Sequence, residues 1–163
     1  MLYAINAENI KIRASTSGQI GRCPTCGGSV RAHCGEILIN HWRHSSNDCD
    51  QWAETLTTWH IEWQESLERH GAQLEVPITK NGKTHRADAV LANGTVVEIQ
   101  HSPISTQEIA ERELFYGRNM VWLFDVQDAY MKDRFDVRYK GEKTTFRWKH
   151  PQKSIAYAKE QFI

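Results

Sequence analysis

The sequence predicts an α/β protein with a small metal-binding module in front of it, and three observations carry that reading. All four cysteines fall within the first 49 residues, in a stretch rich in Gly, Ser and His that has only short strand-like runs. Long periodic segments begin at Asp50. From there a helical pattern, three strand-like runs, a second helical pattern and an unbroken apolar run follow one another, as in a sheet covered by helices. The expected organisation is residues 1–49 as a zinc-binding module, 50–130 as the core, and 131–163 as a basic, aromatic extension packed on the core.

The module rests on Cys23-Pro24-Thr25-Cys26-Gly27-Gly28, a zinc-knuckle spacing in which the glycines permit the turn that aims two thiolates at one metal. His41-Trp42-Arg43-His44 offers a second ligand pair after a hairpin. The expected structural zinc site is therefore Cys23, Cys26, His41 and His44, with Cys49 as the alternative fourth ligand and His33 or Cys34 as more distant choices. A disulfide is the competing use of these thiols, and it is disfavoured in a reducing compartment. About fifty loop-rich residues hold little core of their own, so metal binding would supply folding free energy.

Asp50 is placed to cap a helix running through "QWAETLTTWHIEWQESLERH" to Gly71, in which Trp52, Leu56, Trp59, Trp63 and Leu67 recur at helical spacing as a packing stripe. His60 and Gln64 stand one turn apart beside that stripe, where both could face a sheet. "AQLEVPIT", "KTHRADAVL" and "TVVEIQHS", joined at Asn81-Gly82 and Asn93-Gly94, read as a three-stranded meander. Ser105 with Glu108 makes a capping box that opens the second helix through "TQEIAERELFYGR". "NMVWLFDV" is apolar without alternation, as expected of a buried strand that joins the sheet in parallel after a helical crossover.

The meander also carries the chemistry. Glu98 and Gln100 share one strand face, and Arg86, Asp88 and Val90 share a face of the strand before it. A two-residue Asn93-Gly94 loop would pair position 88 with 99 and separate the carboxylates. A three-residue Ala92-Asn93-Gly94 loop pairs 88 with 98 and sets Asp88 opposite Glu98, and Gly94 suits the left-handed position ending such a loop. Two carboxylates so placed call for a cation, a proton or open water. Mg²⁺ or Mn²⁺ would hold a phosphate oxygen and a water together, with Gln100 orienting the water or touching the phosphate.

At these residues the chain resembles the PD-(D/E)XK nuclease superfamily, whose signature is an Asp on one strand and Glu-x-Lys on the next. "HRADAVL", "VVEIQHSPIS" and "EIAERELFY" together are similar to the nuclease domain of competence protein CoiA-like proteins, and "TWHIEWQ", "CPTC" and "HWRH" resemble their first helix and zinc-like module. The resemblance spans roughly residues 50 to 126 for the core. It implies an αβββαβ restriction-endonuclease-like fold with a zinc-ribbon-like module, and a metal-dependent deoxyribonuclease using Mg or Mn. Asp88 and Glu98 would be the metal ligands, Gln100 would occupy the lysine position, and His60, with Glu54, would contribute from the first helix. Glu111, Arg112 and Tyr116 fall in the helix after the motif. A neutral amide cannot replace the lysine's charge, so His60 or Arg112 would supply it. A non-cleaving nucleic-acid-binding or adaptor protein on the same fold is the alternative.

Charge supports a DNA partner only locally, since lysine plus arginine and aspartate plus glutamate number 20 each. From Lys132 to Lys153, however, eight bases stand against three acids, interleaved with Phe135, Tyr139, Phe146 and Trp148. Arg138, Lys140, Arg147 and Lys149, with Arg112, are the expected nucleic-acid contacts. The chain has no apolar run of the ~18 residues a membrane-crossing helix needs, and its opening segment lacks the charged start, apolar stretch and cleavage site of a signal peptide. It therefore reads as cytoplasmic.

Overall fold

The computed structural model describes the chain apart from residues 37–38, 46–48, 53–55, 160 and 163, and apart from the side chains of residues 161 and 162. It is a mixed α/β protein that divides into two compact units, Met1–Val96 and Val97–Ile163. Among the described residues no helix is long and apolar enough to cross a membrane.

The first unit begins with five short strands, β1 (Tyr3–Ile5), β2 (Lys11–Arg13), β3 (Ile20–Arg22), β4 (Ser29–His33) and β5 (His41–His44), paired antiparallel in the order β2-β1-β3-β4-β5. Strict alternation along β4 turns Val30 and Ala32 inward and leaves Ser29, Arg31 and His33 outside. The core they join contains Met1, Ala4, Ala14, Cys23 and Trp42, and Trp42 is the largest of its described side chains. Gly21 is required where β3 crosses it, because a Cβ there would lie 2.9 Å from the Ala4 Cβ and 3.1 Å from the Trp42 ring.

Helix α1 covers Thr58–Arg69 and is capped by Thr57, whose side chain accepts from the His60 amide. The sequence expectation of an Asp50-capped helix is corrected here. Asp50 is buried and its carboxylate is bonded to His85 and to the Arg86 amide, so it is engaged elsewhere and Thr57 caps instead. The packing face also differs from the expected tryptophan stripe. The helix buries His60, Ile61 and Gln64, while Trp63 is 40 % exposed and Trp59 packs edge-on against it. A tryptophan period shows amphipathicity, but neighbouring elements choose the buried side.

After α1, β6 (Gln73–Lys80) and β7 (Lys83–Val90) form an antiparallel hairpin closed by Asn81 and Gly82, both at positive φ (51° and 74°). Glu75 also has positive φ, 47°, at the position between the pairs Leu74↔Ala89 and Val76↔Ala87. Its buried carboxylate accepts from the Leu2 and Tyr3 amides at 2.6 and 3.0 Å, capturing β1. Arg13, bonded to Glu65 at 2.7 Å, adds a second link between the small sheet and α1.

The second unit begins inside β8 (Val96–Gln100), all of whose residues are buried, and continues through α2 (Thr106–Tyr116) and β9 (Met120–Phe124). The Ser105 side chain accepts from the Glu108 amide, the cap the sequence signalled. A short α3 (Gln127–Met131) leads to the hairpin β10 (Phe135–Lys140) and β11 (Lys143–Trp148). A 3₁₀ turn, Lys153–Tyr157, then leads to β12 (Gln161–Phe162), which pairs parallel with β9 in the order β12-β9-β8. Along the chain from 58 to 124 the elements run helix, three strands, helix, strand.

Candidate functional site

Cys23, Cys26, His44 and Cys49 each bring one donor atom to a common point, all four within 4.8 Å of one another. The Cys23 and Cys49 sulfurs are 3.7 Å apart and Cys26 Sγ lies 3.9 Å from His44 Nε2. Zn–S bonds of about 2.3 Å in a tetrahedron put two sulfurs about 3.8 Å apart, so this donor set fits zinc. The knuckle is built locally. The Cys23 amide donates to the Gly28 carbonyl and Gly27, at φ 73°, returns its amide to the Cys23 carbonyl. The Thr25 and Gly28 amides each point at a cysteine sulfur at 3.3 Å. A side chain on Gly28 would come within 3.2 Å of Cys26 Sγ.

The expected ligand His41 is not in this cluster, and Cys49 takes its place. His41 and His44 are three residues apart on β5 and so point to opposite sheet faces; Trp42 and His44 share the inner one. His41 instead stacks on His33, ring centres 5.4 Å apart. All four cysteines are free, and Cys34 packs against the small core outside the cluster. Burial, with Cys23 and Cys26 close by, pushes the Cys49 thiol pKa up in the metal-free protein. A bound cation reverses that preference.

In the same unit, His60 Nε2 stands 3.2 Å from Asp88 Oδ1, and Gln64 Nε2 donates to the Asp88 carbonyl at 3.1 Å. His60 and Gln64 are buried, while Asp88 keeps 23 % of its side chain exposed. Helix α1 thus presents to β7 the two polar side chains that sequence reading had set beside its apolar stripe. Glu54 lies outside the described residues. The turn after β7 holds Gly94 at φ 82°, with the Gly94 amide donating to the Leu91 carbonyl and the Leu91 amide to the Thr95 carbonyl. This is a three-residue loop, Ala92-Asn93-Gly94, closed by Leu91 and Thr95.

In the second unit, Glu98 is buried and its Oε2 accepts from Arg112 at 2.6 Å. The same guanidinium holds Glu108 at 2.5 Å and lies over the Trp122 ring. Burial works against the arginine's charge, but Glu98 and Glu108 outweigh it and raise its pKa. Arg112, expected as a nucleic-acid contact, is therefore 3 % exposed and committed to two carboxylates. The Gln100 amide donates to the Ser102 carbonyl at 2.8 Å. In the same helix Glu111 is at the surface, bonded by Gln107, and Tyr116 is buried.

Arg138, Lys140, Arg147 and Lys149 are all exposed. The register Asp136↔Arg147, Arg138↔Thr145 and Lys140↔Lys143 puts Arg138, Lys140, Lys143 and Arg147 on one face of the ribbon. Phe135, Tyr139, Phe146 and Trp148 occupy the other face, where Phe135 stacks on Phe146 at 5.2 Å. The interleaving seen in sequence becomes a segregation in space, because cations and rings alternate along each strand.

Sequence reading placed Asp50 and Glu108 in helix caps and passed over Glu75, and it missed the partners that hold all three. Glu108 had a signal four residues before Arg112, while Asp50 and Glu75 find partners too distant in sequence to be signalled. Neither protein-family models, curated proteins nor solved structures gave a match to this chain.

Proposed function

We propose that the chain is a metal-dependent nuclease that hydrolyses DNA phosphodiester bonds, with Asp88 and Glu98 as ligands of Mg²⁺ or Mn²⁺. The observation that carries the reading is the loop closed by Leu91 and Thr95. A three-residue loop is the parity on which the sequence expectation of Asp88 beside Glu98 depends. When bound, the divalent ion would lower the pKa of an attacking water and neutralise phosphate charge. The chain's own residues do the rest. His60 orients the Asp88 carboxylate. Arg112 holds Glu98 and brings to that carboxylate the positive charge that Gln100 lacks. The cationic ribbon face carries the DNA backbone.

Cleavage of single-stranded, duplex and branched DNA should appear with Mg²⁺ or Mn²⁺ and vanish with EDTA. Asp88→Ala or Glu98→Ala should lower it by two or more orders of magnitude, the scale of losing a key electrostatic group. Undiminished cleavage by either variant rules out this mechanism.

Two observations favour a second reading, a non-cleaving nucleic-acid-binding or adaptor protein. Glu98 already has a cation of its own in Arg112, and the Gln100 amide is bonded to the Ser102 carbonyl. That reading predicts salt-sensitive DNA binding with no divalent-dependent cleavage, and divalent-dependent cleavage by the wild-type chain would count against it.

A further inference from the structure

The residue after the metal-cluster cysteine Cys49 carries a buried, multiply bonded carboxylate. Asp50 is 4 % exposed, and both of its oxygens accept hydrogen bonds. Oδ1 accepts from the Trp52 amide at 3.0 Å and from His85 Nδ1 at 2.9 Å, and Oδ2 accepts from the Arg86 amide at 2.7 Å. Trp52 then stacks on the His85 ring, centres 3.4 Å apart and planes within 13°. Of these four residues two, His85 and Arg86, belong to β7, and Arg86 stands two positions before Asp88. A side-chain carboxylate here takes up a strand amide, so the placement of β7 at this point depends on a residue outside the hairpin.

We infer that Asp50 is a positioning residue for Asp88, and that metal binding at Cys49 sets it. A metal in the cluster fixes Cys49 and with it the backbone of the next residue. The Asp50 carboxylate then holds β7, and Trp52 closes over the His85 ring. Loss of the metal frees Cys49 and lets Asp50 draw away from the Arg86 amide. The consequence is a catalytic strand whose order depends on the zinc module. This inference rests on the nuclease reading for its consequence at Asp88, but the link from metal to β7 is independent of any reaction.

The test is hydrogen exchange on the full chain, zinc-loaded and zinc-stripped, beside Asp50→Asn and Trp52→Phe. An amide in Asp50→Asn sets a donor against one of the three N–H groups its oxygens now accept, without changing side-chain size. Expected are retained zinc in Asp50→Asn and exchange at the Arg86 amide faster by at least about tenfold, the scale of losing one charge-assisted bond. Zinc removal should reproduce the same pattern at residues 85–88, with α2 amides unchanged in both. Trp52→Phe, the milder variant, should move the same amides by less. In a cleaving protein, zinc-loaded Asp50→Asn should lose kcat at unchanged KM for DNA. Unchanged Arg86 exchange, either in Asp50→Asn or on zinc removal, overturns the inference. So do wild-type kcat and KM in zinc-loaded Asp50→Asn, and the nuclease reading survives both results. If the wild type does not cleave but the exchange pattern holds, the link from metal to β7 stands and the nuclease reading alone fails.

Discussion

The Cys/His cluster of the first unit and the Glu98, Arg112, Glu108 cluster of the second solve one electrostatic problem in opposite ways. Both gather acids, thiols in one and carboxylates in the other, with Cys23 and Glu98 buried and the other acids partly or fully open to water. The three sulfurs and one imidazole are donors that could hold a metal, and a bound ion would supply the positive charge there. Glu98 has Arg112 at 2.6 Å, a cation supplied by the fold itself. The difference teaches that a cluster of close-set acids asks for positive charge, but does not by itself say whether metal or arginine brings it.

That contrast can be broken most severely at the cysteines. Cys26→Ser or Cys49→Ser should remove bound zinc, about one ion per chain by metal analysis, and lower stability by several kcal/mol, as for other metal-supported modules. His41→Ala should leave both zinc content and melting behaviour unchanged, and loss of zinc in that variant would restore His41 as a ligand. Next in size is the arginine side. Arg112→Met leaves Glu98 buried without its cation and should cost about 3–5 kcal/mol in denaturant unfolding. If Mg²⁺ or Mn²⁺ then binds and recovers part of the loss, metal and arginine compete for Glu98; no recovery means the site belongs to the arginine. The smallest effect lies on the cationic ribbon face. Arg138→Gln and Arg147→Gln should change stability by no more than about 0.5 kcal/mol. Each should reduce the salt dependence of DNA affinity by about 0.7–0.9 in log–log slope. An unchanged slope would detach that face from nucleic acid.

Much of the fold was legible because its signals are local. The knuckle glycines, the Asn81-Gly82 turn and the Ser105-Glu108 cap act within four residues of themselves, and each appears where the sequence places it. Cys23 and Cys26 were legible for the same reason. His44 and the exclusion of His41 follow from strand parity, a signal present in "HWRH" once that segment is known to be extended. The long stretch from Asp50 was misread because its tryptophans and the Asp50 cap suit a helix, and the partners that hold Asp50 and Trp52 elsewhere lie more than thirty residues away. Arg112 was misassigned for a similar reason. A lone arginine on a helix looks solvent-facing until the strand beside it is known to carry Glu98.

By itself the sequence determined the order of helices and strands from 58 to 124, the Asn81-Gly82 turn, the two knuckle cysteines and the charge of the final hairpin. These rest on backbone preferences and side-chain periods that act over a few residues. Tertiary structure decided which histidine and which third cysteine complete the cluster, which face of α1 is buried, what neutralises Glu98, and that Asp50 holds β7. Each of these is a choice among polar groups distant in the chain. Only packing brings them within bonding distance, and only withdrawal from water makes the choice of partner costly to leave unmade.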